Sequence, residues 1–508
     1  MFVRKKKNHS GKISIQIVDK SSGKYRVVKT IGCSDNEEQI NALFKSAREE
    51  IHRLKKQFQI DFEFGDGEIF FERVAQSIKE IQLIGPELLL GKIFDEIGFY
   101  KIKDELFRHL VIARLVYPAS KLKTADYLLK YKSVVYGVQQ IYRYLDKLHK
   151  QQQTLIQQIS YRHTLKLLNG KISVVFYDVT TLYFEAEDED DIRKTGFSKD
   201  GKHQHPQILL GLLVSIGGYP LAYEIFEGNK FEGHTMLPIL EAFKSKYQLQ
   251  RLVIIADAGL LSKENIAMLK EKKYEFILGG RIKNESNTVK EKILRLSLPD
   301  GASSIIEKND DTKLIVSYAL TRAKKDAQNR SRGLKKLETA LAKGKLTKQH
   351  INNKGYNKYL KLEGNISISI DYDKFKTDAR WDGLKGYITN TSLGKEEIIE
   401  NYKHLWQIEK AFRISKTDLR IRPVYHHLKR RIESHICIAF TAYKIYKELE
   451  RQLKAKNIHL SPEKAIEILK TIYGLQIQNP QTQEIKIKVF AKKPEQLELL
   501  KNFGCPCV

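Results

Sequence analysis

Phe176-Tyr177-Asp178-Val179-Thr180 and Ile255-Ala256-Asp257-Ala258-Gly259 are two apolar, strand-like runs, and each carries an aspartate toward its end. The texture around them changes at Ile172. Ser173 to Phe184 is apolar and aromatic, and Ile208 to Ile216 with Pro220 to Phe226 predicts a hairpin about Gly217-Gly218. Thr235 to Tyr247 has helical periodicity, Leu252 to Ala256 reads as a buried strand, Lys263 to Lys273 as a helix and Tyr274 to Leu278 as a further strand.

That order, βββαβαβ, predicts an α/β protein with a ribonuclease H-like core. In such a core the first and fourth strands are neighbours, so Asp178 and Asp257 are expected to meet although they are far apart in sequence. Gly259 allows close backbone approach just beyond the second of them.

A third acid stands on a predicted helix. From Tyr402 the steps to Trp406, Glu409, Arg413, Lys416 and Arg420 are 4, 3, 4, 3 and 4, which keeps all six on one helical stripe. Ile408, Phe412, Ser415 and Leu419 follow another, mostly apolar stripe. Ser392 is the expected cap, Glu396 and Glu397 suit the first turn, and Pro423 should end the helix near Ile421 or Arg422. A lone acid among bases is ordinarily a surface ion-pair helix. The two upstream aspartates give this one a different meaning.

The chain of 508 residues is long enough for two to four domains, and its hydrophobic content of 42% is that of a globular protein. A formal charge of +28 calls for a polyanionic partner, of which nucleic acid is the commonest. An anionic membrane is the rival explanation. No apolar run near twenty residues and no signal-peptide core follows the basic start Arg4 to Lys7, so a soluble, cytoplasmic protein is expected. Four cysteines, Cys33, Cys437, Cys505 and Cys507, are too few and too scattered for a disulfide framework.

The expected organisation begins with a small basic β element plus helix at 1–60, where Ile13, Ile15 and Ile17 lead through a Ser21-Ser22-Gly23 turn to Tyr25, Val27 and Val28. A mostly helical region follows at 61–168, read as DNA-binding because Lys121, Lys123, Lys130, Lys132, Arg143 and Lys147 lie among tyrosines. The core then runs through 169–281, is interrupted by an insertion domain with β strands at 282–385, and ends at 386–450 with the Glu409 helix. A basic region at 451–508, a possible dimer contact, closes the chain.

Three carboxylates gathered in a cleft repel one another unless cations hold them, and oxygen ligands select Mg²⁺ or Mn²⁺ over zinc. Two such ions, roughly 3.5–4 Å apart, suit an in-line phosphoryl transfer. Tyr402, Glu409 and Lys416 together resemble the Tyr-x2-Arg-x3-Glu-x6-Lys signature of bacterial DDE insertion-sequence transposases, with Asp178 and Asp257 as its two aspartates. Leu405 stands where that signature has arginine. The Gly228-Asn229 to Thr235 stretch, with Glu232 and His234, is also similar to these enzymes.

The resemblance implies Mg²⁺-dependent cleavage of double-stranded DNA at element ends and strand transfer into target DNA, usually by a dimer holding two ends. It makes Asp178, Asp257 and Glu409 the catalytic, metal-holding residues. Tyr402, Arg413, Lys416 and Arg420 are then DNA contacts, and Trp381 stacks on an unpaired base or packs its own strand. A non-catalytic DNA-binding regulator and a nuclease without joining activity are the competing functions. The acidic run Glu185 to Asp191 reads as a solvated loop, and His203 and His205 as part of a basic loop with Lys199 and Lys202.

Overall fold

The computed structural model describes residues 1–20, 23–55, 74–198, 201, 204–249, 251–260, 262–308, 311–352, 355–363, 367–479 and 482–505. Ser21, Ser22, Lys199, Lys202, His203 and Cys507 lie outside the described residues. The chain divides into two compact units, one of residues 1–79 with 477–485 and one of 80–476 with 486–508.

In the first unit β1 (Phe2–Lys7), β2 (Ile13–Asp19) and β3 (Arg26–Ser34) form an antiparallel sheet in that order. α1 (Glu37–Lys55) covers it, burying Ile40, Ala47 and Ile51 against Ile15 and Ile17. The basic start Arg4 to Lys7 is therefore an edge strand, and lysines on an edge discourage further pairing.

The second unit opens within a short strand (Ile78–Leu83) and continues with helices, among them α2 (Glu105–Val116), α3 (Lys121–Lys132), α4 (Val138–Lys147) and α5 (Gln153–Leu167). The core follows with β4 (Val174–Tyr183), β5 (Gln207–Ser215), β6 (Pro220–Glu227), α6 (Met236–Tyr247), β7 (Val253–Ala256), α7 (Lys263–Glu271) and β8 (Glu275–Gly280). β5 pairs antiparallel with β4 and β6, whereas β7 runs parallel to both β4 and β8. The five strands thus lie in the order β6-β5-β4-β7-β8, which is the arrangement expected from the sequence.

The sheet does not stop there. β9 (Ser303–Glu307) and β10 (Lys313–Tyr318) join it through β13 (Leu384–Thr389), which pairs antiparallel with both β10 and β8 and extends the sheet to eight strands. The segment 282–385, expected as a separate insertion, therefore supplies two strands to the main sheet. Its remainder, α8 (Leu320–Ala342) with the hairpin β11 (Leu360–Glu363) and β12 (Ser367–Ile370), has a small core of its own around Leu337, Tyr359, Leu360 and Ile370.

The glutamate region also differs from expectation. Instead of one helix there are two, α9 (Lys395–Lys403), entered from Gly394 rather than Ser392, and α10 (Trp406–Thr417). Between them Leu405 N–H donates to Tyr402 O at 3.0 Å and Ile408 N–H to Leu405 O at 3.1 Å, three-residue spacings that tighten the turn and break the stripe. Leu405 is buried in the same core as Tyr402 and Ile408, and that burial anchors the turn.

α11 (Lys429–Ala455) is the central post of the unit, buried along most of its length, and packs on α2, α4, α5 and α10. No helix among the described residues is long and apolar enough to cross a membrane. On this post Lys444 is fully buried with its ammonium hydrogen-bonded to Thr164 Oγ1. Burial pushes its pKa down to about 7, with Glu448 opposing. Between that value and the ordinary lysine range the unfolded chain holds a proton that the folded chain has lost, so stability should rise with pH, by up to about 1.4 kcal/mol per unit. Replacing Lys444 with Met is expected to raise the melting temperature at pH 7 and to flatten this rise between pH 7 and 10, measured by thermal unfolding.

Candidate active site

Side chains alternate along β4, so Asp178 shares the face of Phe176, while Tyr177 and Val179 point into the opposite core. Asp257 follows Ala256 and by the same alternation lies on the face of Ile255. The parallel register pairs Tyr177 with Ala256, so the next residue on each strand is an aspartate and the two stand side by side on one face. Asp178 Oδ1 also accepts from Val179 N–H at 2.8 Å.

α10 packs across β4 and β5 and carries Glu409, exposed, in its first turn. Tyr402, at the end of α9, is buried and donates its hydroxyl to Asp257 Oδ1 at 3.2 Å. Its ring meets Tyr387 edge to face with centroids 4.9 Å apart. Burial, the charge of Asp257 and their hydrogen bond, with Tyr387 and Glu409 adding less, hold the Tyr402 phenol above the usual range and therefore protonated.

One residue central to this arrangement was not anticipated. Lys385, half-buried on β13, places its ammonium 4.5 Å from the Tyr402 ring centroid and 5.4 Å from that of Tyr387. Burial and then Arg322 lower its pKa, while Asp257 and Glu409 oppose them. The charges of Asp257 and, to a smaller degree, Glu409 thus bear on both Lys385 and Tyr402. The available signal was a lysine at the inward position of Leu384-Lys385-Gly386-Tyr387-Ile388, two residues before a buried tyrosine.

Asp257, Lys385 and Tyr402 open onto a cleft of about 890 Å³ walled on its far side by α8. Trp381 lines the same cleft and packs, half-buried, against the second core, as expected of a residue packing beside its strand. Several bases at the cleft are already engaged, as in the ion pairs of Lys283 and Lys358 with Asp378, at 2.5 Å and 2.6 Å. Arg281 is exposed there.

The predicted stripe is only partly preserved. Arg413 is exposed and Lys416 half-buried on α10, but Tyr402 belongs to α9 and points inward. Arg420 lies beyond the helix at φ 44°, exposed at a different cleft. The acidic run is the solvated loop expected, with Glu185, Glu187, Asp188, Glu189 and Asp191 exposed. Asp190 accepts from the backbone of Ile192 and Arg193 and pairs with the Arg193 guanidinium at 2.7 Å. His205 stands near the Tyr183 ring, with centroids 6.2 Å apart.

Three carboxylates offer hard oxygen donors suited to a divalent ion. Among the described residues, however, no group of three or more His, Cys, Asp or Glu side chains is gathered closely enough to hold one. The donor chemistry suits such an ion, and the strand register brings Asp178 and Asp257 side by side.

Gly279 on β8 explains why Tyr402 can reach Asp257. A Cβ at this position would stand 2.4 Å from the Tyr402 hydroxyl. Gly279→Ala is therefore expected to destabilise the protein by about 1–3 kcal/mol. In a Tyr402→Phe background part of that cost should vanish, the remainder arising from Ala258, as measured by a double-mutant cycle in urea.

The transposase DDE domain family model matches residues 169–445. No curated protein matches the chain in sequence. Among solved structures the chain is similar to the piggyBac transposase synaptic complex with hairpin DNA, at 10% identity and a TM-score of 0.37, over 72% of this chain and 69% of that one. It is also similar to the Mos1 transposase paired-end complex with left transposon end, at 13% identity and a TM-score of 0.16, over 46% of this chain and 66% of that one.

Proposed function

The chain belongs to the transposase DDE domain family and is thus an enzyme of DNA cleavage and strand transfer, and from that premise we propose that Asp178, Asp257 and Glu409 are its catalytic carboxylates. The observation that carries this reading is the parallel pairing that stands Asp178 beside Asp257, with the Glu409 helix packed across the Asp178 strand.

Asp178 and Asp257 would hold the divalent ion, Mg²⁺ or Mn²⁺, with Glu409 completing the set. Such an ion supplies an activated water or 3′-hydroxyl and stabilises the leaving oxygen. The protein's own groups do the rest. Tyr402 fixes the rotamer of Asp257 through its hydroxyl, and Lys385 offers positive charge beside the acids where the scissile phosphate would sit. Arg413 and Lys416, on the helix that carries Glu409, would hold the backbone of the element end. The substrate in this proposal is double-stranded DNA at the terminal repeats of an insertion sequence, gripped by two copies of the chain, in the cytoplasm on the nucleoid.

Incubating the purified chain with a labelled element end should give Mg²⁺-dependent nicking and, with target DNA supplied, a joined product. Asp178→Asn is expected to slow nicking at least about 100-fold while leaving end binding intact. Normal cleavage by that variant would remove Asp178 from the site. Equal DNA binding with and without divalent metal, and no cleavage, would instead favour a transposase-derived regulator.

A further inference from the structure

A second cleft, of about 930 Å³, lies where α2, the start of α3 and the segment after α10 come together. Its wall gathers basic side chains that the proposed chemistry does not use. Arg114, Lys121, His426 and His435 all line it, and each is at least nine-tenths buried. Arg114 Nη1 reaches only the Leu419 carbonyl, at 3.4 Å, and His435 Nε2 lies 3.0 Å from the Ile421 carbonyl. Among the described residues His435 Nδ1 is buried without a hydrogen-bond partner, and the Lys121 ammonium lines the cleft with neither a hydrogen bond nor an ion pair.

No carboxylate compensates this cluster. Burial pushes Arg114 down to about 10, so it stays charged at neutral pH. Burial and then Arg114 hold Lys121 well below its ordinary value, and burial with Lys121 and Arg114 does the same to both histidines. Asp418, Glu463 and Glu467 also line the cleft, yet none of them pairs with or offsets these four. Taking a cation out of water costs several kcal/mol unless an anion repays it. Here the chain buries the charged Arg114 with Lys121 beside it, and among the described residues none of the cleft's three carboxylates pairs with either.

We propose that this cleft is a phosphate site that receives a backbone phosphate of the bound DNA strand, away from the point of cleavage. The start of α3 adds free backbone N–H groups, since its cap Ser120 satisfies only that of Lys123. Arg420 and Arg422 stand at the same cleft. Its loop follows directly from the Glu409 helix, and the distance from Glu409 to Thr417 is about 12 Å along the axis. That corresponds to roughly three or four base steps. Val424 N–H donates to Tyr183 O at 3.2 Å, which ties the same loop to the strand of Asp178. The assignment to DNA rests on the proposed function, whereas the anion site itself does not.

The test uses the full chain and Lys121→Met, with Lys121→Gln as a second variant should the first not fold. Orthophosphate, titrated at constant ionic strength, is expected to raise the melting temperature of the wild type and to leave that of the variant unmoved. Without phosphate the variant should melt higher than the wild type. Equal phosphate responses in the two proteins would overturn the site. For a duplex carrying the element end, the slope of log affinity against log salt should fall by about one in the variant. An unchanged slope together with a lost phosphate response would overturn the DNA assignment and point to a free phosphate or nucleotide. A wild type that responds to phosphate but binds no duplex would refute the proposed function and the DNA assignment together, with the anion site left intact.

Discussion

The parallel pairing of β4 with β7 is the constraint on which the rest of the second unit depends. Parallel neighbours cannot be joined by a tight turn, so the chain must leave the sheet and return by way of α6. The detour separates two aspartates widely in sequence and yet sets them in register. Alternation along each strand then decides that both face α9 and α10 rather than the core beneath α6. A slip of one residue would turn one carboxylate into that apolar core. The buried neighbours Phe176, Tyr177, Ile255 and Ala256 therefore fix the site's geometry as firmly as the acids themselves do.

Much of this was legible in the sequence because it depended on period and order. The strands around Asp178 and Asp257, the hairpin at Gly217-Gly218 and the helices between them are local patterns, and their sequence limits neighbouring strands to a few arrangements. What was not legible depended on contacts between distant segments. Nothing in His404-Leu405 marks a break, since neither residue is glycine or proline, and only the burial of Leu405 shows why the helix tightens there. For the same reason leucine suits this position, because a guanidinium there would enter the apolar core.

The extra strands illustrate the same limit. Ser303–Glu307 and Lys313–Tyr318 alternate as any exposed hairpin might, and only pairing through β13 brings them into the main sheet. Positive charge was easy to count and hard to place. A composition of +28 suggests a basic exterior, but Arg114, Lys121 and Lys444 are interior, each at a cost that its surroundings must offset. The exposed Arg413 belongs to the surface expected from composition, and the buried cations carry the information that composition could not.

Lys385 has a consequence for how the molecule comes into being. Some small metal-bearing folds stay unfolded until their ion arrives, because the ligands repel one another in its absence. Here an ammonium fixed on β13 already faces Asp257 and Glu409, and a phenol hydroxyl already holds Asp257. Repulsion between the acids is thus eased by the chain's own groups, so the sheet has less need of an outside cation in order to close.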